Sequence, residues 1–176
     1  MISLSFSHKI DRHILNSAGI ERFPEKQFEM VRLGIGLYGV SISGLSLENI
    51  GTLKSTVSQV KTVNTSETVG YGRKGEINAE SKIAIVPLGY ADGLDRKLGN
   101  KNGSAFINGK HVPIIGNICM DMLMLDVSGV EVKPGDKVEF FGPNISVLEV
   151  AKNASTIPYE ILTGISQRVK RVYVQE

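Results

Sequence analysis

The chain is nearly devoid of cysteine: Cys119 is the only one among 176 residues. An internal disulfide is excluded, and a reducing compartment is the expected setting. No apolar run reaches 18 residues, so no segment reads as a membrane-spanning helix. The N-terminal stretch MISLSFSHKIDRH lacks the apolar core of a signal peptide, and a cytoplasmic protein is expected. Net charge is only +2, and no basic cluster exceeds two or three residues. Nucleic acid and membrane surfaces are therefore poor fits as partners. Aromatic residues make up 6% of the chain, too few for the stacking face of a nucleic-acid-binding barrel.

What is present is a hydrophobic fraction of 41%, enough for a core, in a length that suits one domain or one domain with an appendage. Nineteen glycines and six prolines favour short strands joined by turns over long helices.

Residues 12–38 form a pattern of their own. His13-Ile14-Leu15 reads as a strand end and Asn16-Ser17-Ala18-Gly19 as a turn. Pro24 to Phe28 reads as a short helix with proline in its first turn, Met30–Leu33 as a strand, and Gly34-Ile35-Gly36 as a glycine loop. This is a βα fragment too short to cover a sheet on both faces. Its glycine-loop amides with the Ser17 hydroxyl suit an anion such as phosphate, or are two ordinary turns. Arg32 ends an apolar strand, where a guanidinium needs a partner. From Leu53 onward the period becomes two. Strands are expected at Lys82–Leu88, Ser104–Ile107, His111–Ile115, Met122–Val127, Lys137–Phe140 and Arg168–Tyr173. Asn108-Gly109 marks a two-residue hairpin, and Lys133–Asp136 a turn. Ser146–Asn153 reads as a helix with a capping box at Ser146 and Glu149, and Pro158–Gly164 as a second short helix. Strands so short and closely spaced point to a small antiparallel barrel or sandwich.

The densest chemistry lies in residues 69–93. Tyr71 sits between Gly70 and Gly72, and Tyr90 follows Gly89, with an apolar strand between the two tyrosines. Flanking glycines remove Cβ atoms and permit unusual backbone angles, which leaves space beside the rings. The bland alternative is a pair of hairpin turns with tyrosines at a sheet edge. Two such tyrosines, with Arg73, Asp92, Asp95 and Arg96 nearby, favour a site. Asp121, inside the apolar run Ile118–Met122, also calls for a partner. Tyr159 stands at a helix start, whose positive end favours anions.

The ordered set NSAGI, MVRLGIGLYG, VGYGRKG, PLGYADG, GNICMDM and TIPYEILTGISQRVKR resembles the C-terminal part of the alanine racemase family, from about residue 13 to residue 175. The resemblance implies a residual end of a TIM-type β/α barrel over 1–40. It implies a mainly β, antiparallel barrel-like domain with two short helices over 41–176. It also implies a pyridoxal-phosphate enzyme that interconverts L- and D-alanine for peptidoglycan synthesis, working as a homodimer with a shared site. By the same resemblance Tyr71 is the catalytic tyrosine. Ser17, the backbone of Gly34 and Ile35, and Tyr159 contact the cofactor phosphate, and Arg32 faces the pyridine nitrogen. Met120 holds the substrate carboxylate through its backbone, and Tyr90, Arg96, Asp121 and Ile157 line the substrate corridor. There are two departures. No lysine matches the one that holds the cofactor and acts as second base, so the chain alone is expected to be an inactive fragment. Asn117 stands where many relatives carry an arginine. The alternative is a non-catalytic β-barrel module for dimerisation or ligand binding.

Overall fold

Alternation from Leu53 onward builds seven strands: β1 Leu53–Thr56, β2 Gln59–Val63, β3 Ser81–Val86, β4 Ser104–Ile107, β5 Lys110–Ile115, β6 Leu123–Asp126 and β7 Lys137–Phe141. The computed structural model describes residues 6–77 and 80–174. The first residues of the N-terminal stretch read above, and residue 175 where the resemblance ends, lie outside them. Two compact units divide the chain, Met1–Gly51 and Thr52–Glu176.

In the second unit the strands form one sheet in the order β1-β7-β4-β5-β6-β3-β2, every pairing antiparallel. Its two outermost strands, β1 and β2, are consecutive in the chain and separated only by Val57 and Ser58. Two residues cannot span a flat seven-stranded sheet, in which neighbours lie about 4.8 Å apart. The sheet therefore curls towards closure, as barrels do to remove exposed edges. Val57 donates its N–H to Asp136 O at 2.9 Å and Ser58 donates to Ile85 O at 2.8 Å, which ties the crossing to both sides. Inside lie fully buried apolar side chains such as Ile107, Ile114, Leu123, Leu125, Val138 and Phe140. The β4–β5 hairpin turns at Asn108 and Gly109 with φ of 46° and 82°, the pair of positive values that a type I′ turn needs.

Two helices follow the last strand: α2 Val147–Asn153 and α3 Pro158–Gly164. Ser146 caps α2 by accepting from Glu149 N at 3.1 Å. The expected strand at Arg168–Tyr173 does not form, for its residues pair with no neighbouring strand. Arg171 instead donates to the carbonyls of Ile165, Ser166 and Val169, which curls this segment back on itself.

In the first unit, Asn16 and Arg32 form a single parallel bridge. Between them runs α1, Ser17–Arg22, where a turn was expected: the Asn16 side chain accepts from Gly19 N and starts a helix. The helix expected at Pro24–Phe28 shortens to a 3-10 turn, Pro24–Lys26. Leu15, Ile35 and Val40 are buried, while Ile14, Phe23, Leu33 and Leu37 are each at least half exposed.

Candidate active site

Residues 64–77 leave the sheet after β2. Val69 and Gly75 exchange both backbone hydrogen bonds, each 2.9 Å, and so close a loop that carries Tyr71. Gly70, Gly72 and Arg73 all have positive φ, of 81°, 72° and 57°. At Gly70 a side chain would be strained by that angle and would also press on the Met124 methyl at 2.8 Å. Glycine here turns the tyrosine outward, as the sequence pattern implied. Tyr71 is 78% exposed. Arg73 points elsewhere, donating from Nε to Thr68 Oγ1 at 3.0 Å.

Tyr90 comes from the loop after β3. A Cβ on Gly89 would collide with the carbonyl oxygens of Cys119 and Met120. Glycine thus lets the two loops touch, and Tyr90 N and Ala91 N donate to those same carbonyls at 3.0 and 3.1 Å. Asp92 accepts from Gly89 N at 2.8 Å and closes its loop. Arg168 then clamps both loops, donating to Asp92 Oδ1 at 2.8 Å and to Asp121 Oδ1 at 2.6 Å. The two carboxylates hold its guanidinium pKa above the ordinary value, Asp92 first and Asp121 second. Asp121 thereby has a partner, but not for the reason the sequence suggested: it and its neighbours Met120 and Met122 are exposed, so no apolar burial demands the pairing.

Tyr71, Tyr90, Arg96, Ile118, Cys119 and Met120 line one open concavity of about 610 Å³. Four residues singled out from the sequence, Tyr71, Tyr90, Arg96 and Met120, therefore share one wall. Tyr90 and Arg96 also border a second hollow with Thr156, Glu160 and Gly164. Ile157, the N-cap of α3, and Tyr159 in its first turn stand beside that hollow's residues and do not line the first concavity. Asp121 adjoins Met120 and is occupied by Arg168.

The remaining predicted residues belong to the first unit. Ser17 is buried, and its hydroxyl oxygen accepts from Gly34 N at 2.9 Å and Gly36 N at 3.3 Å. Both acceptor sites of that oxygen are filled, so its own proton remains to donate to an anion. The Gly34 and Gly36 amides are spent on that oxygen, so the hydroxyl proton is the donor this turn shows toward an anion such as phosphate. Arg32 is exposed and donates from Nη2 to Ile14 O at 3.2 Å. Sequence reasoning missed Arg168, whose partners are 47 and 76 residues away, and it missed Ile118 and Cys119 as lining residues. Among the described residues no group of three or more His, Cys, Asp or Glu could hold a metal ion. No described helix is long and apolar enough to cross a membrane.

A curled antiparallel sheet whose loops bring an exposed tyrosine, a second tyrosine and an arginine to one concavity defines a β domain with a candidate site on its loops. Residues 50–173 match the family described as alanine racemase, C-terminal domain. The chain belongs to the alanine racemase family. It is 42% identical over 175 residues to the alanine racemase of Clostridium kluyveri, covering 93% of this chain and 44% of that one. Among solved structures, alanine racemase from Streptomyces coelicolor superposes with a TM-score of 0.90 at 36% identity, covering 96% of this chain and 47% of that one. Alanine racemase from Bartonella henselae, solved with covalently bound pyridoxal phosphate, gives 0.87 at 35% identity, covering 95% and 48%. The chain thus spans less than half the length of these relatives, and the mainly β, antiparallel architecture expected from the sequence matches theirs.

Proposed function

We propose that this chain supplies one of the two proton-transfer groups of an alanine racemase, with Tyr71 as that group. The observation that carries the reading is the exposure of Tyr71 on a concavity shared with Tyr90, Arg96 and Met120. Inverting a stereocentre requires a proton to leave one face and another to arrive on the opposite face. A phenol exchanges a proton in the way general acids and bases do. Met120 offers its backbone N–H to the substrate carboxylate, since its carbonyl already accepts from Ala91. Tyr90, Arg96, Asp121 and Ile157 bound the approach. Arg96 adds a positive charge that attracts a carboxylate.

In the first unit, Ser17 and the Gly34 and Ile35 backbone would hold the phosphate of pyridoxal phosphate, with Arg32 toward its ring nitrogen; in the second unit, Tyr159 would offer its phenol to the phosphate of a bound cofactor. That cofactor supplies the electron sink that makes the α-proton of alanine removable. A guanidinium would offer the ring nitrogen an N–H hydrogen bond. A homodimer in which Tyr71 faces the partner's cofactor completes the reading, with a cytoplasmic role in peptidoglycan precursor synthesis.

Among the described residues no lysine lines the Tyr71 concavity, and none matches the family's cofactor lysine, so the amine that would work opposite the phenol is not beside it. The purified chain, incubated with pyridoxal phosphate and L-alanine, should therefore form no D-alanine above the free-cofactor background. Fused behind the N-terminal half of the Clostridium kluyveri relative, it should restore turnover. In that fusion Tyr71→Phe should lower kcat by about 10²–10⁴-fold, the usual worth of one acid–base group. Full activity of the Phe variant would overturn the assignment.

A further inference from the structure

We propose that Asn117, oriented by Asn100, is a positioning residue for Tyr71. The loop that carries Tyr71 is fastened at its base by the Val69–Gly75 pair. Nearer its tip it has one internal turn, Arg73 N to Gly70 O at 3.1 Å. With three positive-φ residues around it and a ring that is mostly in solvent, Tyr71 has little of its own to fix it. Among the described residues, one side chain from outside the loop bonds to its tip: Asn117 donates from Nδ2 to Tyr71 O at 2.9 Å.

An amide can present either end, so something must decide that its NH₂ faces the Tyr71 carbonyl. Asn100 does so by donating from its own Nδ2 to Asn117 Oδ1 at 3.0 Å. Asn100 is itself held in the left-handed region, φ 55°, with its backbone N–H donating to Gly116 O at 2.8 Å. Asparagine tolerates that conformation better than most residues. The result is a relay from a fixed backbone turn, through two amides, to the carbonyl of the proposed base. It deepens the proposed function for its meaning in catalysis, but the relay is tested without reference to turnover.

The test is ¹⁵N relaxation on the chain as it stands, in wild type, N117A, N117D, N100A and the N117A/N100A double variant. In wild type the Tyr71 and Gly72 amides should be as ordered as Val69 and Gly75, with S² about 0.85. N117A should drop Tyr71 and Gly72 below about 0.6 while Val69 and Gly75 hold. N100A should loosen the same two amides less, and the double variant should equal N117A alone, because Asn100 acts through Asn117. N117D should loosen them at neutral pH and recover order on acidification through about pH 4, where the new carboxyl regains a donor proton. Unchanged Tyr71 order in N117A, additive effects in the double variant, or no recovery of N117D at low pH would each overturn the relay. If order behaves as stated but Tyr71→Phe leaves the fusion active, the relay stands and the catalytic assignment falls.

Discussion

Glu139 is the one acidic residue among the described buried positions, only 7% exposed on β7. Its carboxylate holds the turn that leads from β7 into α2. Oε1 accepts from Asn144 N at 2.8 Å and Ile145 N at 3.3 Å, and Oε2 accepts from Asn144 Nδ2 at 3.0 Å. Glu139→Ala would strand the two backbone amides without an acceptor, beside Gly142, where any side chain would collide with the carboxylate. An unmade buried hydrogen bond costs about 1–3 kcal/mol. Two of them, less the relief of no longer burying a charge, give about 2–4 kcal/mol. For a domain of this size each kcal/mol lowers Tm by about 2–4 °C, so a fall of about 4–16 °C is expected by circular dichroism. Glu139→Gln keeps one oxygen for both amides but loses the charge assistance and the bond from Asn144 Nδ2, since its NH₂ cannot accept, so its effect should be about half as large. An alanine variant that melts within about 2 °C of wild type would show that water or a rearranged turn satisfies these amides, and the accounting above would be wrong.

Gly109 has φ of 82° and open space where a side chain would go. Gly109→Ala should therefore cost only the left-handed strain of about 1 kcal/mol, read as a lower urea midpoint with unchanged slope; a stabilised variant would refute it. Arg168→Gln removes the clamp on Asp92 and Asp121, and amide exchange at Gly89, Tyr90 and Ala91 should quicken while β3 stays protected. Equal exchange in both proteins would show that the ion pairs are ornamental. In the first unit, the hydrogen bond from the Arg12 guanidinium holds the Glu29 carboxyl at about 2, well under its ordinary 4.5. Because the folded value is the lower one, the stabilising contribution is complete above about pH 4.5 and is lost as pH falls toward 2. A carboxyl ¹³C titration of Glu29 with a midpoint near 4.5 would contradict the contact.

Local chemistry makes much of the second unit legible in the sequence. Asn108-Gly109 announced its hairpin, Ser146 its helix cap, and Pro158 and Gly164 the ends of α3. The misreadings arose where a local signal had two outcomes. Asn16-Ser17-Ala18-Gly19 contains turn residues, yet an asparagine that accepts from the third amide beyond it begins a helix as readily as a turn. The alternation at Arg168–Tyr173 suited a strand, but a strand needs a neighbour, and Arg171 satisfies nearby carbonyls instead. Contacts such as Arg168 with Asp92, or Asn117 with Tyr71, join residues 76 and 46 positions apart. Only the folded sheet brings them together, and no periodicity encodes that.

The sheet also explains why the two tyrosines meet by different means. The pairs Val86–Leu123 and Ile115–Met124 set the ends of β3 and β5 beside the start of β6. The loops after β3 and after β5 therefore leave from the same end, and Tyr90 reaches Cys119 without any detour. Tyr71 has no such advantage. Val63 pairs with Ser81, so the excursion between β2 and β3 begins and finishes at the opposite end of β3, five residue steps or about 17 Å away. To cross that distance the excursion must lie along the sheet, and Val69 and Ile77 pin it there by joining Ile83, Ile115 and Met124 in one buried cluster. Each such side chain contributes about 1.5–3 kcal/mol when buried, enough to hold the base of the loop but not the direction of its tip. That division of labour is why the tip, which carries the phenol, has a side-chain tie to Asn117, while the base is held by the Val69–Gly75 backbone pair and the buried cluster.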